Sequence, residues 1–156
     1  MTEEENRIVG DFGEYALAYY LTKKGVHVIR VDTVFFDLIM KDPNQEISNI
    51  PNKIIGISVK TRDRSNTTPS CTIQIKDYNK IEQFGEKWNI QPWIGIIIIS
   101  KNNEKNRVLE GFMFNYSKAK DYFSKGKREN AVSISKLRKD VDNYFIKTKN
   151  YFKWVL

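Results

Sequence analysis

Cysteine and histidine are nearly absent from this sequence, with one of each in 156 residues. A single thiol, Cys71, can form no internal disulfide and cannot supply a cysteine-rich zinc site. The lone histidine, His27, lies at the start of a predicted strand, and we assign it no catalytic role. This composition fits a reducing compartment, and we expect a cytoplasmic protein.

Long apolar runs are also lacking. The longest covers residues 93–99, which is far too short to span a bilayer. Residues 1–5 are acidic and lack the basic and apolar regions of a secretory signal. We therefore expect a soluble protein with no membrane partner. The length suits one domain, residues 1–156, and no repeat, linker or low-complexity tract suggests a second.

Positive charge is concentrated at one end of the chain. The net charge is +7, and residues 116–156 carry all of the excess, with 11 Lys/Arg against 4 Asp/Glu. Such a basic C-terminal segment can contact phosphate groups and steer an anionic partner. Lys136, Arg138 and Lys139 are its candidate contacts. Biased codon usage explains the excess equally well, because the chain is also rich in Asn and Ile.

The first predicted element is a helix that begins at a capping box. Thr2 is at the N-cap position, Glu5 follows three residues later, and the helix should end near Gly25. Apolar residues at helical spacing predict its core-facing side. They are Ile8, Phe12, Ala16, Tyr19 and Tyr20.

The remaining segments predict an α/β order. Strands are expected at residues 26–31, 34–40, 53–61, 71–75, 93–99, 111–114, 131–134 and 151–155. Helices are expected at residues 77–88, 117–123 and 135–144. Three strands in succession favour an antiparallel meander, and the strand after the second helix favours a crossover. We therefore predict a mixed central β-sheet flanked by helices on both faces.

Three polar features interrupt the apolar patterns. Gly10 and Gly13 lie inside the first helix, where each costs about 1 kcal/mol relative to alanine, so close packing or function should require them. Glu14 follows at the edge of the apolar stripe. Asp37 lies within an apolar strand, where a carboxylate is costly unless it is paired or binds a metal. Lys60 lies near the end of the next strand, from which it could meet Asp37 across a hairpin.

This ordered set resembles the PD-(D/E)xK nuclease superfamily, particularly the branch of archaeal Holliday-junction resolvases. The similarity comprises Gly-x-x-Gly-Glu in the first helix, a strand acid, and Val-Lys-x-Arg on the next strand, within residues 7–100. It implies a restriction-endonuclease-like fold and a metal-dependent DNA endonuclease. Glu14, Asp37 and Lys60 would be catalytic. Mg²⁺ or Mn²⁺ would be held by Glu14, Asp37 and the Val59 carbonyl, and a homodimer is plausible.

One position departs from that family's pattern. Ser58 stands where the family carries an acid or Gln, two residues before the motif lysine, and a neutral hydroxyl is a poor ligand for Mg²⁺. Either the two carboxylates suffice with water, or the domain is an inactive nucleic-acid-binding or protein-interaction module. Asp32 or Asp42 could replace the missing ligand, although both are typical turn residues.

Two simpler interpretations stay open beside the nuclease. Asp37 and Lys60 could form a structural buried ion pair. Arg62 and Arg64, which follow the motif lysine, could contact substrate phosphates or merely belong to a solvated loop.

Overall fold

The computed structural model describes residues 2–48, 53–64, 72–74, 78–101, 106–123, 131–143 and 149–156. Three α-helices, eight strands and one 3-10 helix lie in these ranges. Their bounds in chain order are α1 Glu3–Lys23, β1 His27–Arg30, β2 Leu38–Lys41, β3 Ile54–Asp63, β4 Thr72–Gln74, α2 Tyr78–Trp88, β5 Ile90–Lys101, β6 Arg107–Asn115, the 3-10 helix Tyr116–Tyr122, β7 Ala131–Ser133, α3 Ile134–Asn143 and β8 Lys149–Val155. No helix in these ranges has both the length and the hydropathy that a bilayer crossing requires.

Six strands form the central sheet in the order β1-β2-β3-β5-β6-β8. The first three pair antiparallel, as a meander does. β5 then pairs parallel to β3, with Val59 opposite Gly95, and α2 makes the crossover between them. β6 and β8 add antiparallel partners at the far side. β4 and β7 form a separate two-stranded sheet.

The sheet is covered on both faces. On one face, Leu17 and Leu21 of α1 pack with residues such as Ile57 of β3 and Ile97 of β5. The opposite face, with Ile96 of β5, packs against α2, the 3-10 helix and α3. β5 is buried on both sides along most of its length, which explains its continuous apolar run. The predicted α/β class, a mixed central sheet with helices on both faces, is confirmed.

Helix α1 begins with the predicted capping box. The Thr2 hydroxyl accepts from the Glu5 N–H at 3.2 Å, and the Glu5 carboxylate accepts from the Thr2 N–H at 2.6 Å. The predicted core-facing side was partly wrong, because Ile8, Phe12 and Tyr19 are exposed. The buried side is centred on Gly13, Ala16, Leu17 and Leu21.

The displaced core side of α1 follows from a close approach between Gly13 and β3. A Cβ atom at Gly13 would lie 1.9 Å from Oγ1 of Thr61 and 2.9 Å from its Cβ. The helix therefore rests directly on the strand at this point. Gly10 has no such neighbour, since a Cβ there would meet nothing within 4 Å. Close packing explains one of the two glycines and not the other.

Trp88, the last residue of α2, is 60% exposed. The helix still packs through Ile81, which is buried, and through Phe84, which contacts Phe35 and Phe36. Asp77, the first residue of the predicted helix, lies outside the described residues, as do residues 49–52 of the loop between β2 and β3.

Replacing Gly13 by alanine should destabilise the fold, and replacing Gly10 should not. Gly13→Ala must push α1 from β3, at a cost of about 1–3 kcal/mol. Gly10→Ala makes the same chemical change in the same helix with open space around it, so it should stabilise by roughly 0.5–1 kcal/mol. Urea unfolding of both variants measures the difference. Equal stability of Gly13→Ala and wild type would contradict the close contact.

Candidate active site

Asp37 lies at the first residue before β2, at the end of a tightly bonded turn. The strand was predicted to begin at Val34, but Val34 is 91% exposed and β2 begins at Leu38. The Thr33 hydroxyl accepts from the Phe36 N–H at 2.9 Å, and the Val31 N–H donates to the Asp37 carbonyl at 2.9 Å. The Thr33 side chain thus bonds the local backbone, which favours a turn over an extended strand.

Phe36 anchors this turn to β3. Its side chain is fully buried, and a Cβ at Gly56 would lie 2.7 Å from the ring. A glycine at that position lets the ring lie against the strand backbone. The residue that follows, Asp37, is therefore held beside β3.

The Asp37 carboxylate completes the hydrogen bonding of β3 where β2 stops. The last paired residues of the two strands are Leu38 and Ile57. One residue further, the Asp37 N–H donates to the Ile57 carbonyl at 2.9 Å, and Asp37 Oδ2 accepts from the Val59 N–H at 2.6 Å. A side-chain oxygen thus takes the place of a strand carbonyl, which gives Asp37 a fixed position.

Lys60 follows Val59 on the same strand and bends back along it. Its Nζ donates to Ser58 Oγ at 2.9 Å and to the Val59 carbonyl at 3.2 Å. Ser58 is buried. The Ser58 hydroxyl therefore accepts a hydrogen bond that positions the Lys60 ammonium group. Ser58 itself stands where the resembled family carries an acid.

Glu14 reaches the site from α1 and is bound by an arginine. Arg30, the last residue of β1, donates from Nε to Glu14 Oε2 at 2.6 Å and from Nη1 to the Tyr15 hydroxyl at 3.0 Å. Its Nη2 forms an ion pair with Asp11. The guanidinium also lies over the Tyr15 ring, 4.8 Å from its centroid. One turn of α1 thus surrounds one cation.

Neighbouring charges affect the ionisation of Glu14, Asp37 and Arg30. Burial raises the pKa of Glu14, Arg30 lowers it, and the Asp37 charge raises it further. Burial likewise raises the pKa of Asp37, while the Val59 N–H and the charges of Lys60 and Arg30 lower it. The Glu14 bond raises the pKa of Arg30 above its ordinary value. The Asp37 charge therefore acts on Glu14, and the Lys60 charge acts on Asp37.

The candidate site has two carboxylates that a metal ion could bind, those of Glu14 and Asp37. Across the described ranges, no three Asp, Glu, His or Cys side chains come together in a way that could hold one. Mg²⁺ is commonly held by one or two carboxylates, with waters filling the other positions. Glu14 and Asp37 both offer oxygen ligands, and the Asp37 charge raises the pKa of Glu14, so a cation between them would offset that repulsion.

Neither turn aspartate is a simple substitute for the missing acid. Asp42 is buried, and its carboxylate accepts three backbone N–H groups, from Glu46 at 3.0 Å, Ile47 at 2.8 Å and Ser48 at 2.6 Å. It holds the loop after β2. Asp32 is exposed in the turn before β2, and its charge raises the pKa of Asp37.

The predicted phosphate-contacting residues are distributed over two elements. Arg62 is exposed on β3 and donates to the Thr61 carbonyl at 2.9 Å, and the backbone of Arg64 donates to the Ile99 carbonyl. On α3, Arg138 forms an ion pair with the buried Glu110 of β6, and Lys136 donates to the Phe123 carbonyl.

Lys139 is exposed on the same helix. Contact with DNA is a prediction for all five residues, namely Arg62, Arg64, Lys136, Arg138 and Lys139.

Sequence reasoning missed Arg30. A single arginine at the end of a short strand carries no motif, so the sequence offers no direct signal for it. An indirect one exists, because Asp11 and Glu14 are three residues apart and share a helix face that would favour a nearby cation.

Comparison with known proteins gives a distant structural similarity. No protein-family model and no curated protein matches the sequence. Among solved structures, the chain is similar to a Holliday junction resolvase of the archaeal hyperthermophile Archaeoglobus fulgidus, with 14% identity and a TM-score of 0.47. The match covers 80% of this chain and 87% of that one.

Replacing Asp37 by asparagine should stabilise the protein near neutral pH. Because the pKa of Asp37 is raised on folding, the native state binds more protons than the unfolded chain between the usual and the raised pKa. The free energy of unfolding therefore falls as the pH rises through that window. Asparagine keeps an oxygen for the Val59 N–H and removes the charge. Its advantage over wild type should disappear below about pH 3, where the aspartic acid is neutral.

Asp42→Asn is the matched control for this measurement. It leaves one oxygen for three N–H groups, so it should destabilise by about 1–3 kcal/mol at neutral pH. Urea midpoints at both pH values compare the two variants. An Asp37→Asn protein that unfolds more easily than wild type at neutral pH would show that burial does not dominate the Asp37 carboxylate.

Proposed function

We propose that this chain is a divalent-metal-dependent DNA endonuclease of the PD-(D/E)xK type. The proposal is supported by two acids and one amine, carried on α1, on the turn before β2 and on β3. The Glu14 and Asp37 carboxylates lie in each other's field, and the Lys60 charge acts on Asp37. Two acids and one amine in this arrangement are suited to phosphodiester hydrolysis.

In this proposal each group has one task. Glu14 and Asp37 would hold Mg²⁺ or Mn²⁺, with the Val59 carbonyl as a further oxygen ligand. When bound, the ion would lower the pKa of a coordinated water and neutralise negative charge on the phosphate. Ser58 and the Val59 carbonyl fix the Lys60 ammonium, so it can stabilise negative charge on the phosphate without first reorganising.

Arg62, Arg64 and the basic segment would bind the sugar–phosphate backbone. Contacts of this kind release counterions, so DNA affinity should fall steeply with salt. Lys136 and Arg138 also make contacts within the fold, which limits how far they can reach toward DNA.

Cleavage of labelled four-way and linear DNA in Mg²⁺ or Mn²⁺ tests the proposal. Asp37→Asn and Lys60→Met should each lower the rate by about 10²–10³-fold, because each removes a charge from the reaction site. Asp42→Asn, just after β2, and Lys53→Met, just before β3, are matched controls and should keep the rate at a temperature where all variants are folded. Full activity of Asp37→Asn would eliminate the proposed site.

A second candidate is a nucleic-acid-binding domain without catalysis. Ser58 in the position of a family acid favours it, as does the lack of a three-ligand group among the described residues. This module would bind DNA with the same salt dependence and yield no product in either metal. Binding and cleavage measured on one substrate therefore separate the two candidates.

Restoring an acid at Ser58 should strengthen metal binding. Ser58→Asp adds a carboxylate beside Lys60, and we expect Mn²⁺ affinity to rise by about tenfold, at some cost in stability because the position is buried. Ser58→Ala is the control and should bind Mn²⁺ as wild type does. Calorimetric titration measures both. If the two variants bind equally, position 58 does not face the ion.

A further inference from the structure

Arg30 has no place in the motif, yet it is the most heavily bonded cation at the candidate site. Each of its three nitrogens donates to a different partner on one turn of α1, namely Glu14 Oε2, the Tyr15 hydroxyl and Asp11. Its charge also lowers the proton affinity of Asp37. The guanidinium therefore lies against α1, and its charge acts on the Asp37 carboxylate.

We propose that Arg30 is the counter-ion of Glu14 in the metal-free site. A divalent cation must then displace Arg30 from the Glu14 carboxylate in order to bind there. This inference rests on the proposed function, because it assigns Glu14 to a metal. The Nε–H of Arg30 occupies Glu14 Oε2 at 2.6 Å, and a guanidinium beside a carboxylate weakens that carboxylate's attraction for another cation.

The other contacts of Arg30 keep it at the site when Glu14 is released. Asp11 and the Tyr15 hydroxyl bind separate nitrogens, and the Tyr15 ring lies under the guanidinium. The guanidinium presents its donors in a rigid planar fork, whereas the donors of lysine all lie on one nitrogen. Arg30 is thus a positioning residue that sets metal affinity without itself binding the ion.

Mn²⁺ titration of Arg30 variants tests the inference in the full chain. Arg30→Gln removes the competing charge and should bind Mn²⁺ about tenfold more tightly than wild type, a modest gain because the arginine is partly exposed to solvent. Arg30→Lys keeps the charge and should stay within about threefold of wild type. Arg62→Gln removes one positive charge from β3, which β2 separates from β1, and should change the affinity by less than about threefold.

A measurement on wild-type protein avoids reliance on the folding of Arg30→Gln. The Arg30 Nε–H resonance, identified by its loss in Arg30→Lys, should shift and lose its protection from exchange as Mg²⁺ is added. Asp37→Asn should suppress that change, because the ion then lacks its second carboxylate. A resonance that is unaffected by saturating Mg²⁺ would overturn the inference.

The outcomes separate this inference from the function on which it rests. If wild type binds Mn²⁺ through Asp37 and Arg30→Gln binds equally or more weakly, only the role of Arg30 is overturned. If no variant binds Mn²⁺, including Arg30→Gln, the metal site and the role of Arg30 both fall. Tight binding by Arg30→Gln with weak binding by wild type supports both.

Discussion

The candidate site depends on one hydrogen bond, from the Val59 N–H to the Asp37 carboxylate, at 2.6 Å. It forms where β2 stops pairing with β3, so a side-chain oxygen continues the ladder by one step. A carboxylate in this role is fixed relative to the strand that carries Ser58 and Lys60. Burial opposes its charge, and nearby cations and the N–H offset part of that cost. A partly buried carboxyl group with a shifted pKa and specific charge partners is typical of functional sites.

Much of the fold could be predicted from the sequence because its patterns are local. The capping box begins α1, and the run of apolar residues in β5 indicates a strand buried on both faces. Strand β2 was predicted too long, since the apolar residues before Asp37 look like a strand, while Thr33 directs a turn. The buried side of α1 could not be predicted, because it depends on Gly13 meeting Thr61 from a distant strand.

The site was partly predictable for the same reason. Glu14, Asp37 and Lys60 stand out because each interrupts an apolar pattern or follows a glycine pair, and their order resembles a known superfamily. The bond of Arg30 to Glu14 joins residues 16 positions apart, and no spacing rule marks it. The contact between Lys60 and Ser58 is local in sequence. The effect of the Lys60 charge on Asp37 is not, because it depends on how the fold places the two residues.

The central claim is that Glu14 and Asp37 share one divalent ion. A crystal structure of the protein with Mn²⁺, using anomalous scattering to locate the metal, tests this most directly. We expect a manganese peak within coordination distance of both carboxylates, about 2.0–2.3 Å, next to the Val59 carbonyl. Manganese bound elsewhere, with Glu14 and Asp37 still holding only their protein partners at saturating metal, would contradict it.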